Sequence, residues 1–362
     1  MSYCSENILP ADTKIRNLQD LVELLGYKKI KIAYKIPGEI AHYYWFEEEE
    51  YRSYTGIELS IYRTEQGEVS VQTRSRIARS YWDLAHQNET IRRIRSYFGG
   101  IFSTDAGANR YEHVEGTPPT QAQSGCHRAF QRFGSNIIKA MRYIDERSFT
   151  SDRIKYNELE FLQAYSPRVL SNNLLLPFMT SVLEDYFKST FISILKSSEK
   201  KETFFKGNRF SSEHLTLISD RQLSVEDATA ESLSFQNINS ICQHFKSLEP
   251  KLDLAGVLRK PYRRRKESLF DSLERMVKRR HLIIHQATID ITLKDIDAAR
   301  MIDDLQESVV RCYKRITDFY MWEFDQGWGC SSAVSRVRKT SSSMDENLVE
   351  NLRGGEGQAL EN

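Results

Sequence analysis

The sequence predicts two domains of different class. An α+β domain, an antiparallel meander with flanking helices, spans residues 1–102, and an all-α helical bundle spans 126–328. Three observations carry this reading. Before residue 72, apolar and polar residues alternate in four short runs, the period-two pattern of half-buried strands. After residue 126 such runs are almost absent, and apolar residues recur at three- and four-residue spacing. Between the two, residues 103–125 have loop composition, with Gly116-Thr-Pro-Pro119 and few aliphatics, and read as an interdomain linker.

In the first domain, Asp12 or Thr13 caps a helix whose stripe is Ile15, Leu18, Leu21, Val22 and Leu25, stopped by Gly26. Residues 29–36 alternate with Ile30, Ile32, Tyr34 and Ile36 inward and lysines outward. Pro37-Gly38 makes a type II turn into a second strand, Ile40–Phe46. Ile57, Leu59 and Ile61 mark a third strand and Val69 and Val71 a fourth, with short loops throughout. Ser80-Tyr-Trp-Asp83 reads as a capping box for a helix with Leu84, Ile91, Ile94, Tyr97 and Phe98 on its apolar face, ended by Gly99-Gly100. No phosphate-binding glycine motif follows a strand here. By elimination this domain reads as a sensor or partner-binding module.

In the second domain, helices are expected at about 127–147, 152–165, 177–197, 225–248 with breaks, 262–286 and 293–325. Pro177 suits the first turn of its helix, and Thr292-Leu-Lys-Asp295 reads as a capping box. Residues 198–223 look like an exposed excursion, and 329–362 a disordered tail.

Composition excludes several classes. No run approaches the roughly 18 apolar residues of a membrane span, no secretory pattern opens the chain, and mean hydropathy is −0.54. Five scattered cysteines, Cys4, Cys126, Cys242, Cys312 and Cys330, suggest neither a disulfide framework nor a zinc site. A cytoplasmic protein without metal or cofactor is expected. Net charge is only +1, yet Arg259 to Arg280 holds ten Lys or Arg against three Asp or Glu. Such a run attracts a polyanion, with Arg263, Arg264, Arg265, Lys266 and Arg279 as candidate RNA contacts. A solvated helix face would carry the same charges.

The stretch Arg275-Met-Val-Lys-Arg-Arg-His-Leu-Ile-Ile-His285 ends the 262–286 helix. Leu269, Leu273, Met276, Val277 and Ile284 form its apolar stripe, and Arg280 lies on that stripe. A guanidinium there is costly unless paired. His281 follows it directly, and His285 five residues on. Arg280-His281-Leu-Ile-Ile-His285 resembles the motif of the HEPN superfamily: Arg, a polar residue, then His after a short gap. The resemblance implies a helical bundle and, in active members, a metal-independent ribonuclease. It implies catalytic roles for Arg280 and His285, with His281 orienting phosphate or ring. Val182-Leu-Glu-Asp-Tyr186 is similar to an early helix of such domains, which makes Glu184 the candidate partner of Arg280. Ala287 stands where one subgroup has a tyrosine modified by a partner enzyme.

The chemistry suits the residues. A base removes the 2′-hydroxyl proton, a role that fits an imidazole titrating near pH 6.5. A fixed guanidinium offsets the charge gathering on phosphorus. On an ideal helix, however, Arg280 and His285 stand about 140° and ~7.5 Å apart. Either the helix breaks before His285, or a second copy completes the site. The resemblance favours the second, a homodimer. Two functions remain open: a toxin or phage-defence ribonuclease that cuts RNA, its first domain receiving an antitoxin or trigger protein, and a non-catalytic module of the same type that binds RNA or protein.

Overall fold

The computed structural model describes residues 2–31, 36–114, 116–150, 166–206, 210–325 and 332–335. The chain forms two compact units, Met1–Ser124 and Gly125–Asn362.

The first unit is a seven-stranded antiparallel sheet with two helices. Its strands are β1 (Tyr3–Leu9), β2 (Lys28–Lys29), β3 (Glu39–Trp45), β4 (Ile57–Arg63), β5 (Val69–Ser75), β6 (Ile101–Thr104) and β7 (Gly107–Ala108), in the order β2-β3-β4-β5-β1-β6-β7. The β3-β4-β5 meander follows the alternation in the sequence, and Ile57, Leu59, Ile61, Val69 and Val71 are all fully buried. On that face lie α1 (Ile15–Leu24), through Leu18 and Val22, and α2 (Tyr81–Phe98), through Ile94. Each fully buried aliphatic side chain contributes about 2 kcal/mol. The opposite face of the sheet is polar, with Glu6, His42, Gln72 and Arg74 along it.

Several expectations need correction. β1 pairs with both β5 and β6 in the middle of the sheet, where the sequence suggested no strand. Its inward residues are Tyr3, Ser5, Asn7 and Leu9. Two of the four are polar, so the alternation is hidden. Ser5 meets Thr73 hydroxyl to hydroxyl at 2.5 Å, and Asn7 donates to the Ile91 carbonyl at 3.3 Å. Residues 101–108 belong to the sheet, so the linker read at 103–125 is shorter than expected. Of the predicted first strand, 29–36, Lys29 pairs together with Lys28, the Ile30 N–H donates to the His42 carbonyl, Ile30 and Ile36 are exposed, and residues 32–35 lie outside the described residues. Lys14, not Asp12 or Thr13, is the N-cap of α1, and Tyr97 is exposed. The Pro37-Gly38 turn forms, with Gly38 at φ +78 and the Glu39 N–H donating to Ile36. The Ser80–Asp83 capping box forms as well. At Gly100 a Cβ would meet the Ile8 carbonyl oxygen at 2.1 Å, so only glycine fits there.

The second unit is helical: α3 (Gln121–Thr150), α4 (Pro167–Ser197), α5 (Lys201–Phe205), α6 (Ser212–Ser219), α7 (Val225–Glu231), α8 (Ile238–Leu248), α9 (Leu254–Arg259), α10 (Leu269–Gln286) and α11 (Asp295–Tyr320). One apolar core runs through it, with Phe130, Leu176, Phe191, Phe245, Leu269, Ile302 and Val309 among its fully buried members. The helix expected at 152–165 lies outside the described residues. α4 begins ten residues before the expected start, with Pro167 in its first turn and Pro177 inside. Pro177 has no N–H for the carbonyl four residues back, at a cost of about 3 kcal/mol. Packing outweighs it here, since Leu176 and Met179 on either side are fully buried. Phe204 and Phe205 pack on the core, so the 198–223 excursion is anchored. In the tail, Ser332–Ser335 docks on Asp303, through the Ser332 hydroxyl and the Ala333 N–H, each at 2.7 Å.

Candidate active site

The motif helix α10 starts at a capping box, Ser268 with Asp271, and not near Tyr262. The sequence Arg263-Arg-Arg-Lys266 therefore lies in the preceding loop rather than on the helix. Leu269, Leu273 and Met276 are buried, Arg280 is half-buried, and Ile283 packs on the core. These positions advance by four, three, four and three residues, so the stripe runs through Arg280 to Ile283. Ile284, expected on it, is 46% exposed.

Arg280 faces the core side with its Nε buried and without a hydrogen-bond partner. The acidic neighbour is Glu184 on α4. Burial pushes the Glu184 carboxyl above its ordinary range, and the Arg280 charge pulls it partly back. The two are thus electrostatic neighbours. His281 and His285 are exposed, one turn apart, with ring centroids at 4.4 Å and planes tilted by 44°. The helix continues through His285 to Gln286 and ends at Ala287, which is left-handed. A break before His285, one of the two geometries considered above, does not occur.

The loop after the motif is fixed by a pair of side chains that the sequence did not single out. Asn173, fully buried on α4, accepts from the Asp290 N–H at 2.8 Å and donates to the Asp290 carbonyl at 3.1 Å. Asn172 donates to the Leu293 carbonyl and to the Asp295 carboxylate. Asp290 also holds Arg279 at 3.3 Å. Asn172 and Asn173 sit between Val169 and Leu176, at the spacing of an apolar stripe. Like Arg280, they are polar side chains on an apolar stripe. The Thr292 capping box is absent: Lys294 is the N-cap of α11 without a side-chain bond, and the Thr292 hydroxyl goes to Asp290.

Among the candidate RNA contacts, Arg263 donates to Asp303 at 3.1 Å, Arg265 forks onto Asp304 at 3.1 and 2.7 Å, and Arg279 is held by Asp290. Arg264 and Lys266 are exposed. The basic run is therefore divided between paired arginines and free charge. Both helices carry exposed apolar side chains: Leu282 and Ile284 on α10, and Leu170, Leu174 and Phe178 at four-residue steps on α4. The Asn173–Asp290 and Glu184–Arg280 pairings require α4 and α10 to run antiparallel.

Among the described residues no helix is long and apolar enough to cross a membrane, and no group of three His, Cys, Asp or Glu is placed to hold a metal ion. Cys126-His127 and Cys242-Gln-His244 stay separate, and Ser193 of the Ser-x-x-Lys sequence is buried and bonded to the Ser189 carbonyl. The chain matches no family model, no curated protein and no solved structure.

Proposed function

We propose that the chain is a metal-independent endoribonuclease of the HEPN type, acting in the cytoplasm as a toxin or phage-defence effector. The observation that carries the reading is Arg280: a cation on a buried stripe, its Nε without an acceptor, one residue from a pair of solvent-facing imidazoles. Arg265 also has a buried Nε without a partner, but its other two nitrogens fork onto Asp304, and among the described residues no carboxylate fork of that kind holds Arg280.

In this reading His285 removes the 2′-hydroxyl proton. The ribose oxygen attacks the adjacent phosphorus, the 5′-oxygen leaves with a proton, and a 2′,3′-cyclic phosphate remains. Arg280 offsets the charge on the phosphorane oxygens, and His281 steadies the ring or the phosphate. Glu184 keeps the guanidinium in place. Because α10 is helical through Gln286, Arg280 and His285 of one chain diverge by about 140°. A second copy brings the two together across a two-fold axis. The exposed apolar residues of α4 and α10 are the surface for that contact. The first unit then receives the antitoxin or trigger.

The test is RNA cleavage by the purified chain in EDTA. Wild type cuts and leaves cyclic phosphate ends, and His285→Ala and Arg280→Ala each lose about 10²-fold or more. His281→Ala loses less. Wild-type rates in folded Arg280→Ala and His285→Ala would remove the assignment. RNA or protein binding without cleavage in wild type would support the non-catalytic module instead.

A further inference from the structure

A cleft of about 590 Å³ lies in the second unit on the side of α10 that faces α11, and five arginines line it: Arg263, Arg265, Arg275, Arg279 and Arg300. Two of them come from a turn with an unusual backbone. Tyr262-Arg263-Arg264-Arg265 closes through the Arg265 N–H onto the Tyr262 carbonyl, with φ +48 at Arg263 and +56 at Arg264. That is the pattern of a type I′ turn, which ordinarily takes Asn-Gly. Holding two arginines there is unfavourable, and the outcome is that Arg263 and Arg265 flank the Tyr262 ring, each 4.9 Å from its centre, and enter the cleft together.

Carboxylates orient these guanidiniums without using up their donors. Arg263 gives one N–H to Asp303 and Arg300 gives one to Asp297. A guanidinium has five. Arg275 meets Glu267 at 2.5 Å, and about half of its side chain is exposed. Arg265 forks onto Asp304 and leaves its Nε buried without a partner. Apolar lining is confined to Met301 and Val334, the latter from the docked tail. Such a cleft rejects an apolar ligand. Four carboxylates, Glu267, Asp297, Asp303 and Asp304, share the wall, so a single carboxylate gains little there. A group with several charged oxygens in a small volume can engage several forks at once, and the volume is that of a nucleotide-sized ligand.

We propose that this cleft binds the phosphates of a nucleotide, either free or as part of an RNA strand. Only the RNA source rests on the ribonuclease reading. The pre-oriented arginines supply the affinity, because their side chains are already ordered before the ligand arrives.

The experiment is a calorimetric titration of the full chain with inorganic pyrophosphate. Wild type is expected to show one saturable site. Arg275→Ala/Arg300→Ala should bind at least tenfold more weakly, and Arg275→Lys/Arg300→Lys should fall between, since lysine keeps the charge and loses the fork. Arg92→Ala/Arg93→Ala makes the same charge change on α2 and should bind as wild type. Circular dichroism checks that every variant is folded. Absence of saturable binding in wild type, or equal binding by the two double alanine variants, overturns the proposal. Two competition arms identify the source. Pyrophosphate displacing an uncleavable 2′-O-methyl RNA assigns the strand, and pyrophosphate displacing ATP but not RNA assigns the free nucleotide. Displacement of neither also overturns the proposal. Cleavage in EDTA is measured on the same preparations. Pyrophosphate binding without cleavage removes the ribonuclease reading and leaves the cleft standing.

Discussion

In the first unit, α2 buries Asp83, Gln87, Asn88 and Thr90 against the sheet, and each is bonded. Asp83 accepts the N–H groups of Tyr54, Thr55 and Ser80 at 2.8–3.1 Å. Gln87 donates to the Tyr3 carbonyl and the Thr73 hydroxyl, Asn88 to the Glu112 carbonyl, and Thr90 meets the Tyr27 hydroxyl. In the second unit, α10 carries Arg280 at a comparable place on its stripe, and the guanidinium Nε has no partner. The histidines differ in the same sense. His86 of α2 stacks on Trp45 at 3.9 Å, while His281 and His285 face solvent. Buried atoms without a partner occur on both helices, Asp83 Oδ1, Gln87 Oε1 and His86 Nε2 on α2 among them, so the contrast lies in the bonds each side chain does make. Those of α2 are bonded into the fold, whereas Arg280 of α10 has Glu184 as an electrostatic neighbour and no partner at its Nε.

Removing one residue from each helix tests this contrast most severely. Asp83→Ala leaves three backbone N–H groups without their acceptor inside the first unit, and should cost about 3 kcal/mol or more. Arg280→Ala removes a group that bonds little, and should cost about 1 kcal/mol or less while abolishing RNA cleavage. Urea denaturation of both variants, with cleavage on the same samples, gives the answer. If Arg280→Ala unfolds as readily as Asp83→Ala, Arg280 is a structural cation paired with Glu184 and the contrast fails.

The pH dependence of His86 sharpens it next. Burial lowers its pKa from 6.5 to about 4, against a bond to the Leu25 backbone that acts the other way. The folded state thus binds this proton later than the unfolded chain does. Its contribution is full above pH 6.5 and is lost as pH falls from 6.5 toward 4. At pH 4.5 the loss is about 2 kcal/mol relative to pH 7. His86→Phe keeps a ring against Trp45 and should remove that slope, read as the difference between the two proteins in urea melts at the two pH values. An unchanged slope would show that His86 takes up its proton as readily in the fold as in the unfolded chain.

What the sequence made legible follows from the same distinction. Stretches where inward residues are apolar could be read: the β3-β4-β5 meander, the α2 capping box, and the stripe of α10 that picks out Arg280. Where inward residues are polar and bonded, the pattern disappears. β1 escapes the pattern because Ser5 and Asn7 point inward, and the Asn172–Asn173 clamp because the atoms it clamps, backbone atoms of Asp290 and Leu293 and the Asp295 carboxylate, lie more than a hundred residues away. The early start given to α10 has another cause. Tyr262 is buried like a helix-face residue, yet the chain turns left-handed immediately after it, and nothing in Arg263-Arg264 announces that.

That turn supplies the smallest and most local test. In the first unit most described residues at positive φ are glycines, Gly38 and Gly67 among them, beside Tyr51, Ala78 and Asn109; in the second, every described residue at positive φ is something else: Arg221, Arg263, Arg264, Ala287 and Met321. A side chain in this region costs about 1 kcal/mol, and glycine returns part of that through the greater freedom of the unfolded chain. Arg264→Gly should therefore stabilise the protein by less than about 1 kcal/mol, raising Tm by roughly 1–2 °C. Arg264 does not line the cleft, so pyrophosphate binding should be unchanged while the strain is relieved. Arg264→Ala removes the same charge without relieving the backbone, and should leave Tm where it was. If Arg264→Gly melts lower than wild type, the left-handed arginine makes a contact worth more than its strain, and the turn is held for that contact rather than for aiming Arg263 and Arg265.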